Sequence, residues 1–463
     1  MWSELPLTLL VLAVLLVAPA GAQLDRDKLV TAFRDWDAKQ KDGLGLSESA
    51  DSGTLGWGEA PYLRNYMRLW SVTGDTYWLR KVQDHFSRMI GNTRDHDGDG
   101  FVGWQTATYS CGLFYSQALH NVSAATIEPA ERRETKGDIA AKYTGHTYII
   151  EFTDPATYRV QDQTTRQYVT EGKPYVSGEA IADIPGLTVT VTGETHQGDK
   201  FMVRTIAPEP TEFAVHEGVI AYPVALFIEA VKADPALQAE FGASADQFLA
   251  HITRHMLQKH EQDWLDMGDG AGGYRFADLI TDRFPNRLQP HNQYLALGRA
   301  YLVLKDVPGT DPLFATRAEG MARLFRRYLR EQGDAWVWNY WDWVEGGEPG
   351  HSGLEDTSHG TIDVGFAIEA CHRGVVFTVD DMRRLTRTVL DQMWNGSAED
   401  PKLGPNVGTK GDQFAMTTSD WLDLGEWEPE IWRLALTGFA QAGQPTGAAP
   451  AMLAAEQAFG GVQ

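Results

Sequence analysis

Residues 292–329 read NQYLALGRAYLVLKDVPGTDPLFATRAEGMARLFRRYL, and this stretch decides the predicted fold. Its first half is small and apolar on nearly every side, a Gly/Asp/Pro turn follows, and its second half has the apolar period of an amphipathic helix. A helix that is apolar all round is buried, and an amphipathic helix covers such a core. The stretch therefore predicts an inner helix with an outer helix packed against it.

The same pattern recurs along the chain. It is found at 60–90, 217–257, 362–394 and 428–459. Each copy is one helical hairpin that can bury its apolar face against its neighbours, so we expect a mainly α protein, an α/α toroid of about five or six helical hairpins.

Residues 130–210 interrupt this pattern. Here YTGHTYIIEFTDPATYRVQDQTTRQYV and GEAIADIPGLTVTVTGETHQGDKFMVRTI alternate β-branched or aromatic residues with polar ones, with Gly-containing turns between the runs. We therefore expect a small all-β domain at 130–210, inserted between a first part of the toroid at 23–129 and its remainder at 211–463.

The N-terminus predicts export. An apolar run from Leu7 to Val17 is followed by Ala20-Gly21-Ala22, the small-x-small pattern of a signal peptidase site, although no Lys or Arg precedes the run. A membrane anchor is the alternative, but the run is shorter than the ~20 residues that span a bilayer. We expect residues 1–22 to be a signal peptide, no transmembrane segment afterwards, and a secreted protein, extracellular or periplasmic.

Composition limits the partners. The formal net charge of -23 argues against nucleic acid as a partner, because nucleic-acid binding requires a basic surface. It leaves an anionic sugar open, since a local cleft can be positive on an acidic protein. Cys111 and Cys371 are the two cysteines, and one disulfide or two free thiols are both compatible with the sequence.

Unusual residues gather where the inner helices begin. They lie before or at the starts of the five repeats, in Gly56–Glu59, Val215–Gly218, Gln289–Tyr294, Glu355–Asp363 and Trp421–Glu428. In a toroid with parallel inner helices these segments share one rim, where unpaired N–H groups and positive helix dipole ends favour carboxylated or sulfated sugars. We expect this rim to bind a polysaccharide or oligosaccharide.

The densest group of candidate residues is Trp336–Trp343 followed by Glu355–Gly360. Its alternating aromatic residues can form a platform for sugar rings, and a Tyr and a His close together can exchange protons. The candidate catalytic residues are Tyr340, His359, Glu59, Glu355 and Asp356, and the candidate substrate-binding residues are Trp57, His216, His291, Asn292, Tyr294, Trp338, Trp343 and Trp421. The structural alternative is that the aromatic residues belong to the core and that the carboxylates cap helices.

Two further features concern individual side chains. If a helix begins at Pro290, His291 and Tyr294 share a face of it. The segment Asp95-His96-Asp97-Gly98-Asp99-Gly100 matches the start of a calcium loop, but Thr106 replaces the glutamate of an EF-hand. A structural calcium ion at Asp95, Asp97 and Asp99 and a plain Asp/Gly turn both remain open, and no cofactor is required for the expected chemistry.

The helical body resembles bacterial α/α-toroid carbohydrate-active proteins, in particular those related to the C-terminal domain of D-glucuronyl C5-epimerases and to toroidal polysaccharide lyases. The resemblance rests on WGEAPYLRNYMRLWSVTGDTYWL, HNQYLALGRAYLVL and WNYWDWV…EDTSHGTIDVGFAIEA. It implies removal of the C5 proton of a uronate, with Tyr340 and His359 as the proton-transfer pair. It also implies His291 and Asn292 as groups that neutralise the substrate carboxylate. The contiguous Asn-His-Tyr arrangement of such lyases is not reproduced.

The inserted segment resembles the β module of flagellar hook-associated and flagellin-type proteins. The resemblance rests on YTGHTYIIEFTDPATYRV and YVSGEAIADIPGLTVTVTGETHQGDKFMV, and it implies a β fold rather than a flagellar role.

Three functions are therefore compatible with the sequence. The first is a lyase or C5-epimerase acting on a uronate-containing polysaccharide. The second is an inverting glycoside hydrolase that uses two carboxylates of the rim, with Glu59 and either Glu355 or Asp356 as its pair. The third is a non-catalytic glycan-binding or cell-envelope protein.

Overall fold

The computed structural model describes residues 24–108, 110–134, 142–279, 281–345, 348–418 and 420–459. The predicted signal peptide at 1–22 lies outside these ranges, so its cleavage and the export of the chain stay predictions.

The described residues form a mixed structure of helices and antiparallel sheets, so the expectation of a mainly α toroid is wrong. The helices are α1 (Arg26–Ala38), α2 (Ser52–Thr54), α3 (Ala60–Thr73), α4 (Tyr77–Gly91), α5 (Ala214–Ala233), α6 (Pro235–His251), α7 (His291–Leu304), α8 (Leu313–Tyr328), α9 (Gly360–His372), α10 (Val379–Arg387), α11 (Pro429–Gln441) and α12 (Ala449–Phe459). Short π-helical turns occur at Leu55–Glu59, Ile252–Leu257 and Thr388–Met393, and 3₁₀ turns at Gln258–Asp263, Leu422–Glu426 and Thr446–Ala448.

Nine strands are formed by the described residues in the middle of the chain. They are β1 (Gly112–Ala118), β2 (Thr126–Glu128), β3 (Glu131–Glu134), β4 (Thr147–Asp154), β5 (Thr157–Asp162), β6 (Gln167–Pro174), β7 (Ala180–Ile184), β8 (Leu187–Thr192) and β9 (Lys200–Ile206). They form a six-stranded sheet of order β3-β1-β9-β4-β5-β6 and a three-stranded sheet of order β2-β8-β7. Their inward side chains, including Phe114, Ile150 and Val203, form a hydrophobic core of their own. The first two strands precede residue 130, and the proposed domain limits stay predictions.

Further strands lie within the parts expected to be helical, which is why the mainly α expectation fails. They form four two-stranded sheets: β10 (Trp264–Asp266) with β11 (Gly272–Tyr274), β12 (Arg330–Gln332) with β13 (Ala335–Val337), β14 (Asp342–Glu345) with β15 (Glu348–His351), and β16 (Lys402–Leu403) with β17 (Phe414–Ala415). Each strand has only two to four residues. Such strands are shorter than the alternating runs by which a strand is predicted from sequence.

The helices pack as the hairpin pattern predicts locally. Within hairpins, α3 packs on α4, α5 on α6, α7 on α8 and α9 on α10; between hairpins, α3 packs on α5, α5 on α7 and α7 on α9. The approach of α5 to α7 requires glycine at Gly218, because a Cβ there would lie 2.3 Å from the backbone nitrogen of Leu297. Helices α3, α5, α7 and α9 thus form a continuous packed row that holds their first residues near one another.

Helix α5 changes one expectation from the sequence. By length and composition Ala214–Ala233 could cross a membrane, contrary to the expectation that no segment after the N-terminus is apolar enough. In this structure 78% of its apolar window is buried inside the protein, as in the core helix of a folded domain.

Cys111 and Cys371 are both free thiols. Cys111 is buried, and its Sγ donates to the backbone carbonyls of Thr281 and Asp282. The structure thus favours the second of the two alternatives left open by the sequence.

Candidate functional site

The starts of α3, α5, α7 and α9 converge on a cluster of aromatic and titratable side chains. The ring of Trp57 contacts the ring of His216 edge-on at 5.5 Å between centroids and that of His359 at 6.2 Å. The ring of Tyr340 lies 5.6 Å from that of His359. Four residues from separate segments of the sequence are thereby brought together, and we call Trp57, His216, Tyr340 and His359, with Asn292, Glu355 and Asp356 around them, the helix-start cluster.

Local backbone features place Trp57 in the cluster. The π-helical turn Leu55–Glu59 precedes α3, and π turns are frequent at functional sites. Gly56 in this turn faces α5, where a Cβ would lie 3.0 Å from the Cα of His216. The Trp57 side chain is 40% exposed.

His359 is held by Asp356 from the preceding turn. Its Nδ1 lies 2.5 Å from Oδ2 of Asp356, and Oδ1 of Asp356 accepts the backbone N–H groups of Ser358 and His359. Asp356 therefore stabilises the turn before α9, as the capping alternative predicted, and also orients the imidazole. The hydrogen bond to Asp356 raises the pKa of His359, and the same bond holds the pKa of Asp356 well below its usual range although burial opposes it.

Tyr340 lies between β13 and β14, with its ring beside that of His359. Burial, reinforced by the neighbouring carboxyl group of Glu355, raises the pKa of Tyr340 to about 12, while interactions with the side chains of Gln293 and Asn292 oppose the rise. Its hydroxyl is therefore protonated at neutral pH. Gln293 was not among the candidate site residues predicted from the sequence. Its position in the first turn of α7, beside the buried Asn292, was the signal that could have identified it.

His216 lies at the start of α5 with its ring buried. Its Nδ1 is 2.9 Å from the hydroxyl oxygen of Ser52, and desolvation lowers the pKa of His216 to about 4. At neutral pH this ring is uncharged, and it contacts the ring of Trp57.

His291 and Tyr294 share a face of α7, as predicted, but they belong to the interior. Nδ1 of His291 lies 2.7 Å from the Tyr294 hydroxyl and its Nε2 lies 3.0 Å from Oδ2 of Asp342, with all three side chains buried. The backbone N–H of His291 donates to the carbonyl of Tyr340. These contacts make His291 a structural support for the Tyr340 segment, so a direct role in neutralising a substrate carboxylate has no support here.

The tryptophans of the predicted platform are mostly internal. Trp338 and Trp421 are buried and stack on each other at 6.2 Å, and their indole N–H groups donate to Asp363 and to the carbonyl of Thr357. Trp343 on β14 packs against Trp341 at 4.6 Å. Trp57, rather than these three residues, is the tryptophan that contacts His359.

Glu59 is separated from the helix-start cluster by its partners. It is fully buried, with Oε1 2.5 Å from Nδ1 of His85 and Oε2 accepting the backbone N–H of Leu46. The other ring nitrogen of His85 contacts the carbonyl of Gly43. These contacts join Glu59 to α4 and to the loop before α2, as expected for a structural side chain.

Two groups of side chains have donor atoms at a spacing that a metal ion could use. In the loop before β1, Asp95, Asp97 and Asp99 each offer one oxygen within 4.8 Å of the others, so calcium there stays a prediction. Glu355, Asp356 and His359 meet the same criterion. In this second group the facing atoms of Asp356 and His359 already bond to each other.

Comparisons with known proteins add little at this point. No family model matches the chain, and no curated protein matches it. Among solved structures, it is similar to two crystal forms of FlgL from Xanthomonas campestris, each at 16% identity, with TM-scores of 0.16 and 0.17, covering 50% of this chain and 87% of that one. The flagellar junction protein FlgL from Legionella pneumophila matches at 11% identity and a TM-score of 0.15, covering 49% and 83%.

All three of these matched structures are of FlgL, which is described for Legionella pneumophila as a flagellar junction protein. With TM-scores from 0.15 to 0.17 they establish no shared fold, and they include no carbohydrate-active enzyme.

Proposed function

We propose that this chain is an exported carbohydrate-active enzyme that transfers the C5 proton of a uronate in a polysaccharide, as a lyase or a C5-epimerase. The observation that supports it most directly is the contact between Tyr340 and His359, with His359 oriented by Asp356. A tyrosine and a carboxylate-held histidine side by side form an acid and a base suited to proton transfer.

The protonation states of His359 and Tyr340 assign the base and the acid. Asp356 accepts a hydrogen bond from Nδ1–H of His359. In the neutral imidazole Nε2 therefore carries no proton, and it is the atom that acts as the base. Tyr340, whose pKa is raised to about 12, is the acid. His359 takes the C5 proton, and the C5–H electron pair passes into the substrate carboxylate as an enolate. In a lyase the C4–O bond then breaks and Tyr340 protonates the leaving oxygen; in an epimerase Tyr340 returns a proton to the opposite face of C5.

Binding of the sugar is assigned to Trp57 and Asn292. The half-exposed indole of Trp57 offers a flat surface beside the base. Asn292 is buried, and its side-chain nitrogen lacks a hydrogen-bond partner among the described residues, although the side chain interacts with Tyr340. An unsatisfied amide donor beside the acid is suited to a substrate carboxylate.

The hydrolase alternative receives less support. An inverting hydrolase needs two carboxyl groups about 6.5–9.5 Å apart across the sugar with a water between them. Glu59 and Glu355 are both fully buried, and Glu59 is engaged by His85 and Leu46.

The decisive experiment incubates the purified protein with a panel of polyuronates in deuterated water. Absorbance of unsaturated uronate detects a lyase, and deuterium at C5 without chain cleavage detects an epimerase. New reducing ends without either signal would identify a hydrolase, and retained binding without turnover would identify a non-catalytic glycan-binding protein.

A further inference from the structure

Two buried carboxyl groups adjoin the helix-start cluster without taking part in the proposed proton transfer. Glu355 immediately precedes Asp356, and Asp363 lies four residues after His359, one turn into α9. Both side chains are fully buried. The Oε1 atom of Glu355 accepts the backbone N–H of Asp356 at 3.1 Å, and Oδ2 of Asp363 accepts the indole N–H of Trp338 at 2.8 Å.

The remaining oxygen of each group has no donor. Oε2 of Glu355 and Oδ1 of Asp363 are buried and without a hydrogen-bond partner among the described residues. The two groups meet at Trp338, whose backbone carbonyl accepts the N–H of Glu355 and whose indole N–H donates to Asp363, and each carboxyl shifts the pKa of the other. Two ionised carboxylates in such a place would repel each other strongly, whereas one proton between them satisfies both oxygens.

The groups that face Glu355 and Asp363 do not remove the repulsion between the two carboxylates. Asp356 adds a negative charge from the same loop, while His359 and His291 face Asp363 from the starts of α9 and α7. Tyr340 and Tyr294 are also within electrostatic range. Burial and mutual repulsion raise the pKa of Glu355 well above its usual range.

We propose that Glu355 and Asp363 share one proton at neutral pH and that this pair positions Asn292 and, through it, Tyr340. The inference rests on the proposed function for its catalytic consequence. The hydroxyl of protonated Glu355 donates to Oδ1 of ionised Asp363, so the pair carries a single negative charge. The side chain of Asn292 interacts with both Glu355 and Tyr340, so its place depends on the state of the pair. Glu355 and Asp363 are thus positioning residues.

Infrared difference spectroscopy of the full chain tests the shared proton without any substrate. The wild-type protein at pH 7 should show the carbonyl band of a protonated carboxylic acid, shifted in deuterated water, and Glu355→Gln and Asp363→Asn should each lose it. Glu212→Gln is the matched control, because burial raises the pKa of Glu212 to about 7 and its own band must be subtracted. If the band of the wild-type protein persists unchanged in Glu355→Gln, the shared proton is refuted.

Activity then tests the positioning role. Glu355→Gln keeps a neutral donor in place and should lose less activity at neutral pH than Glu355→Ala, while holding its remaining activity to higher pH than the wild type because it cannot ionise. Glu355→Ala should lose about a hundredfold, the effect of misplaced reacting groups. Equal losses of activity in Glu355→Gln and Glu355→Ala would refute the positioning role. An alkaline limb of the pH–activity profile that lies at the same pH in Glu355→Gln as in the wild type would refute it too. An inactive wild-type protein that shows the band would instead refute the proposed function and leave the shared proton standing.

Discussion

Nδ1 of His359 lies 2.5 Å from Oδ2 of Asp356, three residues earlier in the chain. Both side chains are 40% exposed, so the pair lies at the surface of the site rather than in the core. A carboxylate in this position fixes the tautomer of the ring and raises its basicity, as in other histidine bases. The following predictions depend on this relationship and on the neighbouring buried groups.

Replacing Asp356 with Asn should move the pH profile of activity. Asp356 raises the pKa of His359, so the wild-type base becomes protonated and inactive as pH falls through that raised value. Asp356→Asn lowers the pKa of His359, and the acidic limb of kcat/KM should move to lower pH together with a lower maximum. Steady-state rates from pH 4 to 9 measure this change. An acidic limb in the same place as in the wild type would show that His359 is not the base.

Replacing His359 with Ala should abolish turnover without unfolding the protein. General acid–base groups contribute about a hundredfold or more to the rate, and the side chain is only half-buried. His372→Ala is the matched control, because His372 is also a surface histidine paired with a carboxylate, Glu426, at the last residue of α9. Thermal unfolding should be similar in both variants. If His359→Ala retains the activity of His372→Ala, the site is misassigned.

Replacing Tyr340 with Phe should remove the acid while keeping the ring that packs on His359. We expect a loss of about a hundredfold or more in kcat with a small change in substrate affinity, since the hydroxyl alone is removed. Tyr168→Phe, on the exposed strand β6, is the control. Wild-type kcat in Tyr340→Phe would exclude Tyr340 as the acid.

Replacing Glu59 with Gln should lower stability and spare catalysis. Replacing the carboxylate of the buried Glu59–His85 hydrogen bond costs about 1–3 kcal/mol of the free energy of unfolding. Urea unfolding measures this loss, and activity per folded molecule should remain near that of the wild type. The opposite result, normal stability with lost activity, would favour the hydrolase.

His216 should make the protein sensitive to acid. Its folded pKa of about 4 lies below the ordinary value of 6.5, so the unfolded chain binds a proton between these values that the folded chain does not. The free energy of unfolding should therefore fall by about 3 kcal/mol as pH drops from 6.5 to 4. His216→Gln should lack this part of the decline, and the exposed His120→Gln should retain it. Parallel pH curves for wild type and His216→Gln would contradict the account.

Part of the fold was predictable because its signals are long and periodic. The helical hairpins and the central strands each repeat one pattern over many residues. The short sheets were missed because strands such as β16 and β17 contain two residues each, too few for a visible alternation. Their presence is what makes the described structure mixed rather than mainly α.

The site was predictable to a smaller extent. The position of unusual residues before helix starts singled out Trp57, His216 and His359, whose rings lie in contact because these helix starts converge; their functional role stays a prediction. The partner of each side chain was not readable from the sequence: Glu59 bonds to His85, and His291 to Asp342, through contacts between residues 26 and 51 positions apart. The pairing of Glu355 with Asp363 likewise depends on how the loop folds over the first turn of α9.

The most direct test of the proposed proton transfer is the appearance of solvent deuterium or unsaturation at C5 of a polyuronate. Wild-type protein in deuterated water should produce C5-deuterated uronate or its unsaturated product, and both signals should vanish in His359→Ala and Tyr340→Phe. Turnover that yields only new reducing ends, or either signal at an undiminished rate in both variants, would contradict the proposal.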